Sequence, residues 1–203
     1  QCKELNTLNT TSFDTSKVTD MSYMFEECNS LSVLDVSKFV TTEVTNMAGM
    51  FKGCKIVDNL DVSGFNTKKV TDMSSMFCEC NGVSTLEFGS SFDTSNVEDM
   101  SYMFSYCRYL KKADVSKFTT NKVKNMAGMF YYCYSLRDIN VEQFDTSLVT
   151  DMSYMFSYCN SITELKLEKF KTNKVTNLYY MFAYSQYLLS LDLSSFETAS
   201  VNN

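Results

Sequence analysis

The chain has 203 residues, of which 44% are hydrophobic, so it is long enough to bury a continuous core. Its formal net charge of −6 argues against nucleic-acid binding, which needs a basic face to displace phosphate counterions. No apolar run reaches the roughly 18 residues of a membrane span, and no signal-peptide pattern opens the chain, so we expect no transmembrane segment here.

One phrase, F-x-T-x-x-V-x-x-M-x-x-M-F-x-x-C, recurs along the chain. The intervals between its leading phenylalanines are 26, 26, 27, 26, 26, 26 and 26 residues. These phenylalanines are Phe13, Phe39, Phe65, Phe92, Phe118, Phe144, Phe170 and Phe196. A fixed period of this length predicts a solenoid in which each coil buries its apolar face against its neighbours. We therefore expect residues 1–203 to form one domain of about eight coils.

Each coil begins with helix-like spacing. Val18, Met21, Met24, Phe25 and Cys28 lie three, three, one and three residues apart, which predicts one apolar side of a short helix. The residue before the first Met is always Asp or Asn, as at Asp20, Asn46, Asp72, Asp99, Asn125, Asp151 and Asn177. These side chains accept hydrogen bonds from first-turn amides, so we interpret this column as a helix N-cap.

Later in the coil, apolar and polar residues alternate instead. Leu34 and Val36 are expected to point inward and Asp35 outward, as in a short strand. Stacked coils would then form a parallel sheet of short strands on a concave face, with the helices on the convex face. This α/β arrangement is the leucine-rich-repeat plan. The 27-residue interval predicts a bulge or widened turn near Gly89.

Both ends of the sequence fall inside a repeat. We therefore expect a piece of a longer array, and self-association through uncapped solenoid ends is one possible contact.

Seven of the eight cysteines form a single column: Cys2, Cys28, Cys54, Cys80, Cys107, Cys133 and Cys159. Parallel side chains suit neither a tetrahedral zinc site nor a well-formed disulfide, so buried free thiols are favoured over inter-coil disulfides and over a metal. Cys78 breaks the column and is expected on the outer side as an exposed thiol.

With these columns aligned, the chain resembles the BspA-like leucine-rich-repeat family of surface proteins, in its mycoplasma-type lipoprotein branch. The resemblance rests on stretches such as 92–104 and 31–41 and covers essentially the whole chain. It implies a leucine-rich-repeat solenoid at a cell surface or outside the cell, with adhesion as the usual proposed role. The family supplies no catalytic residues to carry over.

An outward column on the predicted strand face begins with four consecutive acids, Asp35, Asp61, Glu87 and Asp114, and continues with Asn140, Lys166 and Asp192. Like charges at strand spacing repel one another. The column is therefore either a docking strip for a basic partner or a solvated face that nearby lysines compensate.

Tyrosine is concentrated in one half of the chain, since twelve of the 13 tyrosines follow residue 100. Exposed tyrosine is favoured at interfaces because it offers a large amphipathic area at low entropy cost. The candidate partner-binding tyrosines are Tyr102, Tyr106, Tyr132, Tyr154, Tyr158, Tyr180 and Tyr184. The competing interpretation is stacking between coils that stiffens the solenoid.

A threonine recurs in every coil, at Thr15, Thr41, Thr67, Thr94, Thr120, Thr146, Thr172 and Thr198. A flat threonine ladder could bind ice, but a corner position favours hydroxyls that satisfy turn backbone groups.

Histidine is absent and no phosphate loop or nucleophile motif occurs, so we predict neither catalysis nor a cofactor. The sequence favours a surface-displayed scaffold that binds a protein or another host-surface macromolecule, with a purely structural spacer as the alternative.

Overall fold

The computed structural model describes residues 2–203 as a stack of coils joined by hydrogen bonds between residues about 26 positions apart. One hydrophobic cluster runs from Met21 to Met181 along the stack. The phenylalanine that follows the second Met of each repeat is stacked on its counterparts in the coils before and after. For Phe104 the ring centroids lie 5.7 Å from Phe77 and 5.5 Å from Phe130. These stacked phenylalanines therefore form the centre of the core.

Each coil has a turn segment of ten residues, and the seven turn segments are 21–30, 47–56, 73–82, 100–109, 126–135, 152–161 and 178–187. The predicted helices in these segments are wrong, because residues 2–203 contain no α-helix. Overlapping four-residue turns take their place, with Met24 N–H donating to the Met21 carbonyl and Cys28 N–H donating to the Phe25 carbonyl.

The amides that a helix would use are committed to the next coil. Met21, Tyr23, Phe25 and Glu27 donate to carbonyls of residues 46, 48, 50 and 52, at 2.7–2.9 Å. The same four bonds recur between every successive pair of turn segments. Because these turns follow one another every three or four residues, buried side chains recur with the same spacing as on one side of a helix. The sequence pattern therefore could not distinguish the turns from a helix.

The Asp/Asn column does accept a hydrogen bond from a following amide, but as a turn and not as a helix cap. Ser22 N–H donates to Asp20 Oδ1 at 2.8 Å, and the equivalent bond occurs at every later member of the column. Each residue of this column also forms a parallel β-bridge with its counterpart in the next coil, in a series that starts at Asp20 and ends at Asn177. The column therefore begins the inter-coil ladder.

Strand pairing is present but interrupted. The strands are β1 (Thr85–Leu86), β2 (Lys112–Ala113), β3 (Glu164–Leu165) and β4 (Ser190–Leu191). β1 pairs with β2 and β3 with β4, both in parallel. The predicted alternation holds outside these strands too, since Leu34 and Val36 are buried while Asp35 is exposed. Short parallel strands are thus confirmed, but a continuous sheet is not formed.

The one 27-residue interval accommodates an additional aromatic residue. Phe88 packs its ring 4.6 Å from Phe92 and 5.1 Å from Phe118. A Cβ at Gly89 would lie 1.9 Å from the carbonyl oxygen of Ser63. Glycine is therefore needed at this position because the preceding coil approaches its backbone closely.

The threonine column is internal to the stack. Thr41 donates its hydroxyl to the Asn66 carbonyl at 2.9 Å and accepts a hydrogen bond from the Asn66 amide at 2.8 Å. Thr15, Thr94, Thr146 and Thr172 exchange the same two bonds with the next coil. The prediction that these hydroxyls satisfy turn backbone is confirmed. Ice binding by this column is excluded because all five of these threonines are buried.

The thiols of the cysteine column are free, and all of its members are buried except Cys2, which is exposed. From Cys54 to Cys159, each Sγ–H donates to the phenylalanine carbonyl of the preceding coil, at 3.0–3.4 Å. Ser185 keeps the same bond to Phe156, at 2.6 Å. Burial raises the pKa of Cys54 to about 12, which keeps its thiol protonated. The favoured interpretation, buried free thiols, is therefore confirmed for Cys28 and the later members of the column, but not for Cys2.

Cys78 corrects the prediction of an exposed thiol. It is only 7% exposed, because the turn segments on either side cover it. Burial raises the pKa of this thiol to about 11, so it too stays protonated. Within residues 2–203, no three His, Cys, Asp or Glu side chains converge on a possible metal position.

Candidate interaction surface

Two positions in every turn segment have a positive φ. The first is two residues after the leading Met and the second two residues after the phenylalanine. Both are the third residue of a turn, where a type II turn requires this conformation. The first column is Tyr23, Gly49, Ser75, Tyr102, Gly128, Tyr154 and Tyr180, and the second is Glu27, Gly53, Glu79, Tyr106, Tyr132, Tyr158 and Tyr184.

All seven predicted binding tyrosines therefore occupy left-handed backbone. Their φ values lie between 55° and 61°, in a region that costs a non-glycine residue about 1–2 kcal/mol. The repeat spacing alone did not indicate this conformation. Glycine at positions 49, 53 and 128 of the same columns was the available signal.

Tyrosines of the second column form a continuous stack. The ring centroids of Tyr106 and Tyr132 are 4.7 Å apart, those of Tyr132 and Tyr158 are 4.0 Å apart, and those of Tyr158 and Tyr184 are 4.4 Å apart. The rings are within 18° of parallel. Interaction with the Tyr132 hydroxyl raises the pKa of Tyr158 to about 12. The predicted stacking between coils is thus present, and it covers the flat faces of these rings.

Further tyrosines pack around this stack. Tyr131 meets Tyr106 edge-on at 5.2 Å and Tyr132 edge-on at 4.7 Å, while Tyr134 meets Tyr132 at 5.2 Å. Tyr154 stacks on Tyr180 at 5.8 Å. We define the tyrosine face as Tyr102, Tyr106, Tyr131, Tyr132, Tyr134, Tyr154, Tyr158, Tyr179, Tyr180 and Tyr184. The structure brings all seven predicted tyrosines together here and adds Tyr131, Tyr134 and Tyr179.

The tyrosine face remains open to solvent although its rings are stacked. Tyr102, Tyr180 and Tyr184 are 38%, 44% and 53% exposed. The four turn segments that carry it contain one charged residue, Arg108, whose guanidinium lies 5.7 Å from the Tyr106 ring centroid. The face is therefore an aromatic surface of ring edges and hydroxyl groups with almost no charge.

The predicted acidic column has a local structural task. In this column, the carboxylates of Asp35, Asp61 and Asp114 each accept a hydrogen bond from the backbone amide of the serine two residues later, at 2.9–3.2 Å. Hydrogen bonds from the serine hydroxyl and amide lower the pKa of each of these carboxyls. All four predicted acids, including Glu87, are exposed.

Basic groups interrupt the acidic character further along the same face. A depression of about 410 Å³ is lined by Lys112, Arg137 and Lys166 together with Asp114 and Glu142. Lys166 forms a 3.0 Å ion pair with Glu142. The four acids thus form an exposed row, but a surface of mixed charge follows it.

The stacked coils with short parallel strands place this chain in the leucine-rich-repeat class of scaffolds. A leucine-rich repeat protein from Eubacterium ventriosum matches its structure with a TM-score of 0.52 and 19% identity. That match covers 80% of this chain and 39% of the other, so the chain spans less than half of that relative. A weaker similarity, with a TM-score of 0.22 and 14% identity, is to the functional domain of InlJ from Listeria monocytogenes, described as including a cysteine ladder, over 97% and 59% of the two chains.

The family model described as "Mycoplasma protein of unknown function, DUF285" matches residues 1–109, 61–140 and 135–203. The chain belongs to this family, which confirms the BspA-like resemblance. No curated protein matches the chain. Neither the family nor the fold match points to a catalytic family, and the fold class is one suited to protein interaction. No helix that could cross a bilayer occurs in the part of the chain that is described.

Proposed function

We propose that this chain is a single leucine-rich-repeat solenoid domain, part of a longer array, that is displayed at a cell surface and binds a host or neighbouring-cell macromolecule. The tyrosine face is its contact surface. Membership of the family and the repeat fold support a scaffold role, and the family resemblance supports the surface location.

One observation carries this proposal. The turn segments have the same backbone whether or not they carry tyrosine, since Glu27 and Glu79 have φ of 57° and 61° and Tyr132 has 60°. The fold therefore does not require tyrosine at these positions. Stacking of each aromatic pair contributes about 0.5–1.5 kcal/mol beyond the burial of its area, an amount comparable with the cost of about 1–2 kcal/mol for each residue in left-handed backbone. A concentrated, partly exposed set of tyrosines without a folding requirement is typical of an interface.

The test replaces three stacked tyrosines by serine, as Tyr106→Ser, Tyr132→Ser and Tyr158→Ser together. Serine is tolerated in this backbone, because Ser75 has a φ of 56°. We expect binding to host matrix or cell-surface extracts to be lost while the circular dichroism spectrum is retained. Tyr23→Ser is the matched control, since it removes an exposed tyrosine of the same conformation outside the tyrosine face. Unchanged binding by the triple variant would reject the tyrosine face.

The acidic row Asp35, Asp61, Glu87 and Asp114 is a second candidate contact surface. Its charges would attract a basic partner, and such an attraction weakens as ionic strength rises. Binding that is indifferent to added salt would remove this row from the proposal. If the intact chain captures nothing from either extract, the spacer alternative replaces the binding scaffold.

A further inference from the structure

We infer that the partner of the tyrosine face is the tyrosine face of a second copy of this chain, related by a twofold axis. This inference rests on the proposed function, because it needs the tyrosine face to be a contact surface. It names the neighbouring-cell macromolecule as another copy of the same solenoid.

The spacing of the stacked tyrosine rings is the first reason. The central rings repeat every 4.0–4.7 Å along four successive turn segments. A partner that contacts all of them must present groups with the same repeat. A second copy presents groups with the same repeat because it has the same sequence. A globular partner without a repeat could match one or two of the rings at most.

The chemistry of the exposed atoms is the second reason. Because the central rings cover one another's faces, a ligand that stacks on flat aromatic surfaces finds those faces occupied. Ring edges and phenolic hydroxyls remain. A hydroxyl both donates and accepts hydrogen bonds, so a row of hydroxyls is complementary to an identical row.

Charge is the third reason, and it also selects the orientation. The chain carries a net charge of −6. Nevertheless, Arg108 is the one charged residue in the four turn segments 100–109, 126–135, 152–161 and 178–187. Two copies can therefore pair there without like-charge repulsion. The turn segments from 21–30 to 73–82 contain Glu26, Glu27, Lys52, Lys55 and Glu79. Burying these charges under tyrosine would carry a desolvation cost.

An antiparallel pairing restricted to the uncharged segments avoids that cost. Its twofold axis lies between segments 126–135 and 152–161, so that Tyr132 of one copy faces Tyr158 of the other. The charged segments then extend beyond the contact on both sides. A parallel pairing would instead place Glu27 against Glu27 and Glu79 against Glu79. Antiparallel contact also suits copies that approach from opposed surfaces.

The available area indicates a weak contact. Ten partly exposed tyrosines offer roughly 600 Å² on each copy, below the about 800 Å² of a standard interface. We therefore expect dissociation constants in the micromolar range for the free chain, with surface display adding strength through multivalency.

The experiment measures self-association of the 203-residue chain by sedimentation velocity over a wide concentration range. We expect a reversible monomer–dimer equilibrium. The variant Tyr132→Glu/Tyr158→Glu should weaken it at least 100-fold with an unchanged circular dichroism spectrum, because Glu27 and Glu79 already occupy the same column. Tyr23→Glu/Ser75→Glu adds two charges at positive-φ positions outside the tyrosine face and should leave the equilibrium unchanged.

Charge complementation then tests the orientation. A Tyr132→Glu/Tyr158→Lys variant should still form a dimer, because the antiparallel pairing sets position 132 of one copy against position 158 of the other and so pairs opposite charges. A parallel pairing would set like charges against each other and leave this variant monomeric. A chain that stays monomeric at every concentration would overturn the inference. So would self-association that ignores the glutamate variant, the result expected for contact through solenoid ends. If the chain is monomeric but still binds host extracts in a tyrosine-dependent way, the proposed function stands and only the identity of the partner fails.

Discussion

The turn segments fall into two groups that share one backbone and differ in their outward side chains. We call 21–30, 47–56 and 73–82 the charged segments, and 100–109, 126–135, 152–161 and 178–187 the tyrosine segments. Both groups donate the same four amides to the next coil and have the same two positive-φ positions. In the charged segments, Lys52 pairs with Glu26 at 3.2 Å and Lys55 with Glu79 at 3.3 Å. In the tyrosine segments, ring stacking takes the place of these ion pairs.

This difference separates what the solenoid needs from what its surface is used for. The buried Met, Phe and Cys columns are common to both groups, so they hold the coils together. The outward columns vary without any change in the backbone. Their identity is therefore free to be selected for contact with something outside the chain.

The largest expected effect tests whether the two groups share one core. Phe51→Ala in a charged segment and Phe104→Ala in a tyrosine segment each remove a fully buried, stacked ring. Both should lower the free energy of unfolding by about 3–5 kcal/mol, through lost burial and a residual cavity. Urea denaturation measures the change. A loss under 1 kcal/mol for either variant would contradict a common core.

A glycine in each group lies beneath a tyrosine ring. A Cβ at Gly49 would lie 2.4 Å from Cε1 of Tyr23, and a Cβ at Gly128 would lie 2.4 Å from Cε1 of Tyr102. Gly49→Ala and Gly128→Ala should each cost about 2–3 kcal/mol, from the left-handed backbone and the displaced ring. The measurement is the free energy of unfolding in urea.

Gly64→Ala is the control for these glycines, because the nearest atom to its added Cβ is 4.0 Å away and its φ is not positive. It should change stability by less than about 1 kcal/mol. Combining Gly128→Ala with Tyr102→Ser should recover part of the lost stability. No recovery would show that the ring is not what the added methyl group displaces.

A single glycine in the tyrosine stack should have a small net effect. Tyr184→Gly loses contacts with Tyr158 and Tyr180, which contribute about 0.5–1.5 kcal/mol each, and relieves a φ of 61° at about 1–2 kcal/mol. We expect the free energy of unfolding to change by no more than about 1 kcal/mol. A loss above 3 kcal/mol in thermal or urea unfolding would mean that the fold itself needs the stack.

Ion pairs should contribute to stability only in the charged segments, and their contribution should be small. Glu26→Gln removes the partner of Lys52 and should cost about 0.2–1 kcal/mol at low salt, falling towards zero at high salt. Gln186→Ser changes an exposed, uncharged side chain in a tyrosine segment, and its effect should not depend on salt. Thermal unfolding at two ionic strengths compares the variants. Equal salt dependence in both would remove this distinction.

Acid should destabilise the chain through its aspartate turns. The folded-state pKa values of Asp35, Asp61 and Asp114 are held below the ordinary value of 3.8, so these groups stabilise the fold above that pH. Their contribution is lost as the pH falls below about 4 through the folded-state pKa values. The triple variant with asparagine at these positions should lose less stability on acidification than the unaltered chain.

Asparagine is the appropriate replacement because Asn140 already occupies this column and accepts the Glu142 amide at 3.1 Å. The triple variant should therefore keep its stability near neutral pH. Identical acid sensitivity of the two chains, measured by urea denaturation from pH 2.5 to pH 7, would show that other groups cause the acid effect.

Sequence patterns predicted the solenoid, the core columns and the free thiols, because these depend on a period and on burial. They predicted helices where the structure has successive turns. Residues 21, 24, 25 and 28 have the same spacing in both conformations, and only the hydrogen-bond partner distinguishes them. Cys78 was misplaced for a related reason, since its exposure depends on how closely adjacent segments lie. The candidate tyrosines were found from the sequence, but their left-handed backbone was not.

The sequence by itself determined the 26-residue repeat, the identity of the buried columns and the concentration of tyrosine in one half of the chain. Composition and spacing are properties of a single coil, and they are visible without its neighbours. Only the tertiary structure decided that the amides of each turn segment bond to the next coil, and that Tyr106, Tyr132, Tyr158 and Tyr184 form one stack. Both outcomes are contacts between coils, and such contacts exist only once the coils are stacked.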